Sequence, residues 1–360
     1  MIDESVLFEE VPGHNGWTLG VARLNAPQSM NALSLDMIHR LQPQLERWAE
    51  DDSVAAVWLE GAGDRAFCAG GDIVALYRSM TESAQPGATQ SEGERFFEDE
   101  YRLDYLIHSY PKPLVIWGHG IVMGGGLGLM AGGSHRVVTE ESRLAMPEVS
   151  IGLYPDVGAG WFLNRMPGRT GLFLGLTGMR MNAADALFVG LADRFIPHSQ
   201  RASVQSALLV KDLRHHAQAG VSQVLRRFER GGQRLRLASP VRDHFDTLQA
   251  LTDADSLAEV VDNLAAYAGK NDWLMKAVKN VASASPASLT LHWRHYHRSP
   301  KDSLAEVFDK ELKLSRRCLV MGEFAEGIRA LLIDKDQQPR WQFPTLQAVD
   351  PEWVDQFFID

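Results

Sequence analysis

The sequence predicts an α/β fold, with a layered core of strands and helices over residues 1–197 and a helical C-terminal region over 198–360. Three observations carry that expectation. Short β-branched and aromatic runs alternate with stretches of helical period as far as about residue 197. Beyond it, 199–231, 254–284 and 302–332 lack strand-like alternation. Finally, 360 residues, 45% hydrophobic and 23% charged, suffice for one large domain or two ordinary ones.

Taken in order, "SVLFEEV" (5–11) and "WTLGVARL" (17–24) flank the turn-rich "PGHNG" and read as a β-hairpin. Ser34 is placed to cap a helix with Leu35, Ile38, Leu41, Leu45 and Trp48 on one face, and Pro43 marks a place for a kink. "VAAVWLE" (54–60) reads as a buried strand leading into the glycine-rich "GAGDRAFCAGGD" (61–72). Residues 81–93, polar and containing Pro86 and Gly87, predict a mobile surface loop before a helix over roughly 94–109. "PLVIW" (113–117) and "HRVVTE" (135–140) are strands, whereas "MPEVSIGLYPDVGAGWF" (146–162) is mostly irregular. In the helical remainder, "SASPAS" (283–288) and "RSP" (298–300) are the clearest breaks.

The net charge of −10 disfavours non-specific binding to nucleic acid. Two cysteines, Cys68 and Cys318, cannot build a disulfide framework and point to a reducing compartment. The acidic start "MIDESVLFEEVPG" resembles neither a secretory signal nor an Arg-rich transit peptide. No stretch approaches the roughly 18 apolar residues of a membrane span. A soluble, cytoplasmic protein is expected, with neither nucleic acid nor membrane as partner.

The segment "GIVMGGGLGLMAGGSHR" (120–136) contains G-x-G-x-x-A at Gly126–Ala131, the fingerprint of a dinucleotide site. That fingerprint needs a strand ending at its first glycine, and the nearest predicted strand ends around Trp117. Glu148 could stand in for the ribose-binding acid, but it lies in a proline-flanked loop. A plainer reading is that Gly124–Gly128 allow close packing where a helix starts. A third follows from it: unpaired N–H groups at a helix start can hold a phosphate or a developing oxyanion. Ala69-Gly70-Gly71-Asp72 opens a second short helix. Two such loops facing each other would supply the pair of donors that chemistry on a thioester requires.

Glu148 and Asp156 lie eight residues apart, each directly after a proline that restricts the backbone. Taken as arbitrary carboxylates, they would be surface acids or caps. Nucleophile motifs are missing: there is no G-x-S-x-G, and adjacent Ser134 and His135 in a strand would point to opposite faces. Cys68 reads as a small buried apolar residue. In "HWRHYH", His292, His295 and His297 fit a solvated helix end better than a metal site, and no metal is expected.

Together, "LNAPQSMNALS" (24–34), "RAFCAGGDI" (65–73), "GHGIVMGGGLGL" (118–129) and "AMPEVSIGLYPDVGAG" (145–160) resemble the enoyl-CoA hydratase/isomerase (crotonase) superfamily, in its order and spacing. "FFEDEY" (96–101), "LTGMRMNAADAL" (176–187) and "EFAEGIRALLIDKDQQPRW" (323–341) look like its 3-hydroxyisobutyryl-CoA hydrolase branch. The resemblance implies a crotonase-like ββα spiral core followed by a helical region that completes an acyl-CoA site. It implies that the backbone N–H groups of Gly71 and Gly125 bind the thioester oxygen, where one donor is typically worth about 2.7–4 kcal/mol. Where a hydratase of the superfamily carries its first glutamate, this chain has Gly128, so the acid pair of hydration is incomplete. Glu148 matches the other glutamate, and Asp156 the acid characteristic of the hydrolase branch.

The resemblance therefore implies hydrolysis of 3-hydroxyisobutyryl-CoA, or a similar short 3-hydroxyacyl-CoA, in valine breakdown. Glu148 acts as nucleophile or as general base, and Asp156 handles a proton or the substrate hydroxyl. Glu100 matches an acidic position of the substrate pocket, against the plain reading of an exposed helix glutamate. Substrate contacts are implied for Ala66, Ala69, Gly70, Asp72, Ile73, Gly124 and Lys335. Gln28 stands where relatives often carry a basic residue, which leaves Arg23, Arg65 or Lys335 for the coenzyme A phosphates. No cofactor is expected beyond the coenzyme A of the substrate. Family members often form homo-oligomers, and the helical pattern fits packing within or between chains alike. The alternatives are an enoyl-CoA hydratase or isomerase with an unusual acid pair, and a non-catalytic acyl-CoA-binding protein.

Overall fold

The computed structural model describes residues 4–82, 91–232 and 237–359. The opening hairpin pairs β1 (Val6–Pro12) with β2 (Thr18–Leu24), antiparallel, from Val6 opposite Leu24 to Pro12 opposite Thr18. Ser34 caps α1 (Leu35–Glu50) by accepting the Met37 N–H, and the helix runs through Pro43. Then come β3 (Val54–Gly61), β4 (Ala66–Cys68), α2 (Ile73–Thr81) and α3 (Glu92–His108). Next are β5 (Leu114–Gly118), β6 (Ile121–Met123), α4 (Gly125–Ala131), β7 (His135–Val138) and β8 (Arg143–Ala145). A 3-10 turn at Glu148–Ile151 precedes α5 (Ala159–Phe162), α6 (Thr170–Thr177), β9 (Met181–Asn182), α7 (Ala183–Phe188) and β10 (Arg194–Phe195). After β10 the described residues are helical: α8 (Arg201–Leu209), α9 (Ala217–Gly232), α10 (Pro240–Asp243), α11 (Phe245–Thr252), α12 (Leu257–Ala265), α13 (Asp272–Ser283), α14 (Pro286–Arg298), α15 (Leu304–Met321), α16 (Phe324–Ile328) and α17 (Pro351–Gln356).

Two sheets form, ordered β1-β2-β3-β5-β7-β10 and β4-β6-β8-β9. From β3 to β8 the chain gives one strand to each sheet in turn, β3 then β4, β5 then β6, β7 then β8, with helices between the pairs. This is the expected ββα repeat. The short members β4, β6 and β8 were not foreseen, because three residues are too few to show a period of two. Of the loop expected over 81–93, residues 83–90 lie outside the described residues, and α3 has begun by Glu92.

The chain divides into two compact units. One comprises Met1–Gly71, Arg102–Leu144 and Met181–Ser239; the other comprises Asp72–Tyr101, Ala145–Arg180 and Pro240–Asp360. The first is built on alternate residues of the larger sheet. Leu19 and Val21, Ala56 and Trp58, Val115 and Trp117 point to one face, where they pack with Val204 and Leu208 of α8 and Val221 and Leu225 of α9. Trp58 and Trp117 stack there with ring centroids 5.3 Å apart. In the second unit, α14, α15 and α16 pack around the segment Met146–Gly160, of which every residue from Ile151 to Gly160 is buried.

Candidate active site

In the first unit the two glycine loops leave the same end of two hydrogen-bonded parallel strands, β4 and β6. They lie against each other: a Cβ added at Gly70 would sit 3.2 Å from the Met123 carbonyl oxygen and 3.9 Å from the Gly124 Cα. Gly124, the residue before α4, has φ 49° and ψ −126°, a conformation open in practice only to glycine. Gly126 is needed for closeness, since a Cβ there would stand 2.3 Å from the Cys68 carbonyl oxygen. Gly125, first residue of α4, has one of the N–H groups that lack an intrahelical acceptor.

The first of these loops is braced by a segment whose part the sequence did not reveal. Asn31 is fully buried with φ 55°. Its Nδ2 donates to the carbonyls of Ala62 (3.0 Å) and Ala66 (2.9 Å), and its Oδ1 accepts the Ala26 N–H at 3.0 Å. The Leu33 N–H donates to Gly70 O at 2.8 Å, and the Ala69 N–H to Met30 O at 3.1 Å. An asparagine flanked by Met30 and Ala32 was a signal: Asn is the residue that tolerates left-handed backbone and also supplies donors and an acceptor.

The acids gather in the second unit. Glu148, Asp156 and Glu100 are 4%, 4% and 2% exposed, so none is a surface acid. Glu148 opens the 3-10 turn Glu148–Ile151, and its Oε2 is buried without a hydrogen-bond partner. Burial, then the neighbouring charges of Asp156 and Glu100, push its carboxyl well above the usual range. Asp156 is pushed up to about 7, chiefly by burial and against the hydrogen bond from Tyr101. Tyr101 Oη donates to Asp156 Oδ2 at 2.6 Å. On the other side of Asp156 the backbone is strained at Val157, which has φ 53°; the next residue, Gly158, takes φ 86° freely because it has no Cβ. A β-branched residue with positive φ is a true outlier. It is held by Glu311 of α15, fully buried, whose carboxyl oxygens accept the N–H of Gly158 at 2.6 Å and of Gly160 at 2.9 Å.

The structure thus brings Glu100, Glu148 and Asp156 together within one unit, and Ala66, Ala69, Gly70, Gly71, Gly124 and Gly125 within the other. Asp72 accepts the Ala75 N–H at 3.1 Å and so caps α2, which begins at half-buried Ile73. Lys335 is exposed with φ 57°. Of the candidate phosphate ligands, Arg23 is held by Glu60 at 2.7 Å, while Arg65 is exposed. Two expectations are corrected. Ser134 Oγ reaches His135 Nδ1 at 3.0 Å, because Ser134 lies just before β7 and escapes its alternation. His292 and His295 are buried and only His297 is exposed, so "HWRHYH" is no solvated helix end. His295 Nε2 lies 3.0 Å from Glu311 Oε1. Cys68 is fully buried, as expected.

Residues 19–358 match the family model described as enoyl-CoA hydratase/isomerase. The chain belongs to that family. A Danio rerio protein named 3-hydroxyisobutyryl-CoA hydrolase, mitochondrial, is 40% identical over 358 residues, 98% of this chain and 89% of the relative. The Homo sapiens protein of the same name is 37% identical over 99% of this chain and 88% of its own length. Among solved structures, a carnitinyl-CoA dehydratase from Mycobacterium thermoresistibile superposes with a TM-score of 0.86 at 36% identity, covering 99% and 97% of the two chains. Among the described residues of this family member, no helix is long and apolar enough to cross a membrane.

Proposed function

We propose that this enoyl-CoA hydratase/isomerase family member hydrolyses the thioester of 3-hydroxyisobutyryl-CoA, or of a similar short 3-hydroxyacyl-CoA, to the free acid and coenzyme A, as valine breakdown requires. One observation carries the choice of hydrolysis: Glu148 and Asp156 form a buried acid pair, while α4 has a buried glycine, Gly128, where a hydratase would need its other acid. The names of the relatives support the same choice.

Carboxyl groups buried together resist simultaneous ionisation, so the cluster keeps a proton while one member is a carboxylate. With the proton of the pair on Asp156, the Glu148 carboxylate attacks the thioester carbonyl carbon. The backbone N–H groups of Gly71 and Gly125 stabilise the oxygen as it becomes negative. Collapse breaks the C–S bond to leave a mixed anhydride on Glu148, and the departing thiolate takes a proton from Asp156. Water then opens the anhydride and returns its proton to Asp156, releasing the acid. A carboxyl pushed up to about 7 is suited to both transfers near neutral pH. Glu100 lies near enough to act on Glu148 and is assigned to the substrate pocket.

The test is to supply 3-hydroxyisobutyryl-CoA and crotonyl-CoA, following free thiol and enoyl absorbance together. Thiol release from the hydroxyacyl thioester is expected. Loss of enoyl signal without thiol would establish a hydratase instead, and tight coenzyme A binding without turnover a non-catalytic binder. Glu148→Gln should abolish cleavage while keeping acyl-CoA affinity; turnover at the parental rate would remove Glu148 from the chemistry. The reading needs no cofactor, so exhaustive dialysis against chelator should leave the rate unchanged. It also places the enzyme in the cytoplasm, on composition and cysteine usage, although the relatives carry mitochondrial names; cell fractionation decides. Self-association, implied by family resemblance, is measured by sedimentation.

A further inference from the structure

Asp156 is the end of a line of hydroxyl groups. Tyr101 Oη lies 2.6 Å from Asp156 Oδ2 and 2.7 Å from Ser315 Oγ. Ser315 Oγ lies 2.9 Å from Tyr154 Oη, which is also 2.8 Å from the Glu311 carbonyl oxygen. All three hydroxyl-bearing residues are buried: Tyr101 is 3% exposed, and Tyr154 and Ser315 fully enclosed. A hydroxyl has one hydrogen to give. A carboxylate only accepts, so Tyr101 spends its hydrogen on Asp156, and Ser315 must then donate to Tyr101. Tyr154 is left to donate to Ser315 or to the Glu311 carbonyl.

We propose that Tyr101 and Ser315, backed by Tyr154, are positioning residues that fix the rotamer of Asp156 and hold it in its ionised form for part of the catalytic cycle. The inference rests on the proton-transfer role given to Asp156 above. With all hydroxyls pointing toward it, the line stabilises the carboxylate; when Asp156 is protonated, its own O–H can donate to Tyr101 and the line reverses. No hydrogen leaves or enters the line in either setting.

The groups that act on Asp156 come from every element around it. Tyr101 on α3 stabilises its charge, whereas Glu311 on α15 opposes it. Across from these, Asp156 and Glu100 disfavour ionisation of Glu148. Cys318, also on α15, and Tyr154 are held protonated by burial and by the same acids. Beyond Glu311 stands His295 at 3.0 Å. Among the described residues, the donors that favour the Asp156 carboxylate are the Tyr101 hydroxyl at the head of this line and the backbone N–H of Asp156 itself. Tyr101 itself is held well above the usual phenol range by burial and by Asp156, so it remains a donor throughout.

Tyr101→Phe deletes the donor and keeps the ring, which packs against Phe97 (centroids 5.8 Å) and Phe308 (5.8 Å). Ser315→Ala removes the second link without touching Asp156. The ionisation of Asp156 is read directly by carbon-13 NMR of protein labelled in the aspartate carboxyl carbon, with the signal assigned by its loss in Asp156→Asn. Tyr101→Phe should move that titration to higher pH by about one to two units, the size expected for losing a donor to a buried carboxylate. Ser315→Ala should move it the same way by less. The pH profile of kcat/KM should follow both, with KM changed less than about threefold. A titration unmoved in Tyr101→Phe and Ser315→Ala overturns the inference. An Asp156→Asn variant that cleaves the thioester at the parental rate overturns instead the catalytic role of Asp156, and the NMR titration still reports on the hydroxyl line.

Discussion

Replacing Glu311 by alanine should loosen the segment that presents Asp156, although Glu311 does not touch that side chain. Its carboxyl accepts two backbone N–H groups, of Gly158 and Gly160, inside a fully buried site. Alanine leaves both donors buried and unpaired, at about 1–3 kcal/mol each. The sum is about 2–6 kcal/mol, before counting the cavity. The same bonds hold Val157 at φ 53°, a conformation that costs on the order of 1–3 kcal/mol and persists only when its surroundings enforce it. Losing the constraint lets Val157 relax, returning part of the loss and carrying Asp156 away from Tyr101. Glu311→Gln keeps the volume and one acceptor, and should cost about half as much. The assay is urea unfolding of both variants, with hydrogen exchange at the Gly158 and Gly160 amides as the local readout. A loss below about 1 kcal/mol in Glu311→Ala, with exchange at both amides unchanged, would refute the reasoning.

Two further predictions concern pH and packing. The folded carboxyl of Asp156 titrates at about 7 and the unfolded one near 3.9. Between these values the folded state binds more protons, so the group's contribution to stability is complete below about pH 4 and is lost as pH rises through about 7. Asp156→Asn should therefore gain on the parent from pH 5 to pH 8, by about 2–3 kcal/mol; a stability difference flat with pH would contradict this. Gly126→Ala would drive its Cβ onto backbone, 2.3 Å from the Cys68 oxygen, and should cost about 1–3 kcal/mol with a lower melting temperature and slower turnover. An alanine variant as stable as the parent would show that β4 and α4 are not in that contact.

Most of the large architecture was legible because it rests on repeated local signals. The hairpin β1–β2, the capped α1 and the strands β3, β5 and β7 carry enough residues to display their period and their ends. What escaped was short or made by distant residues. β4 and β6 are three residues each and defined by pairing with each other, which no local pattern records. The motifs placed Glu148 and Asp156 in the sequence, but spacing says nothing about burial, and burial is what raises both carboxyls. Glu311 and Ser315 were invisible for a plainer reason: on a charged 18-residue helix they resemble its solvated positions. His295 was misread with them, since the acid it faces lies 16 positions later.

Glu311 and Ser315 are four residues apart on α15, so they emerge one turn apart on the same face. One grips the backbone just after Asp156; the other supports the hydroxyl that bonds its carboxyl. Position and ionisation of the same acid are therefore set from one rigid surface, although by different atoms. They need not fail together. Losing the Glu311 carboxyl removes a neighbouring charge that opposes ionisation of Asp156, while losing the Tyr101 hydroxyl removes the bond that favours it. If the backbone stays in place, the two changes move the titration of Asp156 in opposite directions, Glu311→Gln downward and Tyr101→Phe upward. The buried acid cluster opposes stability wherever it is ionised, and α15 is the element that makes it tolerable: it fixes the segment tightly enough for a strained valine and a proton-holding aspartate to stand side by side.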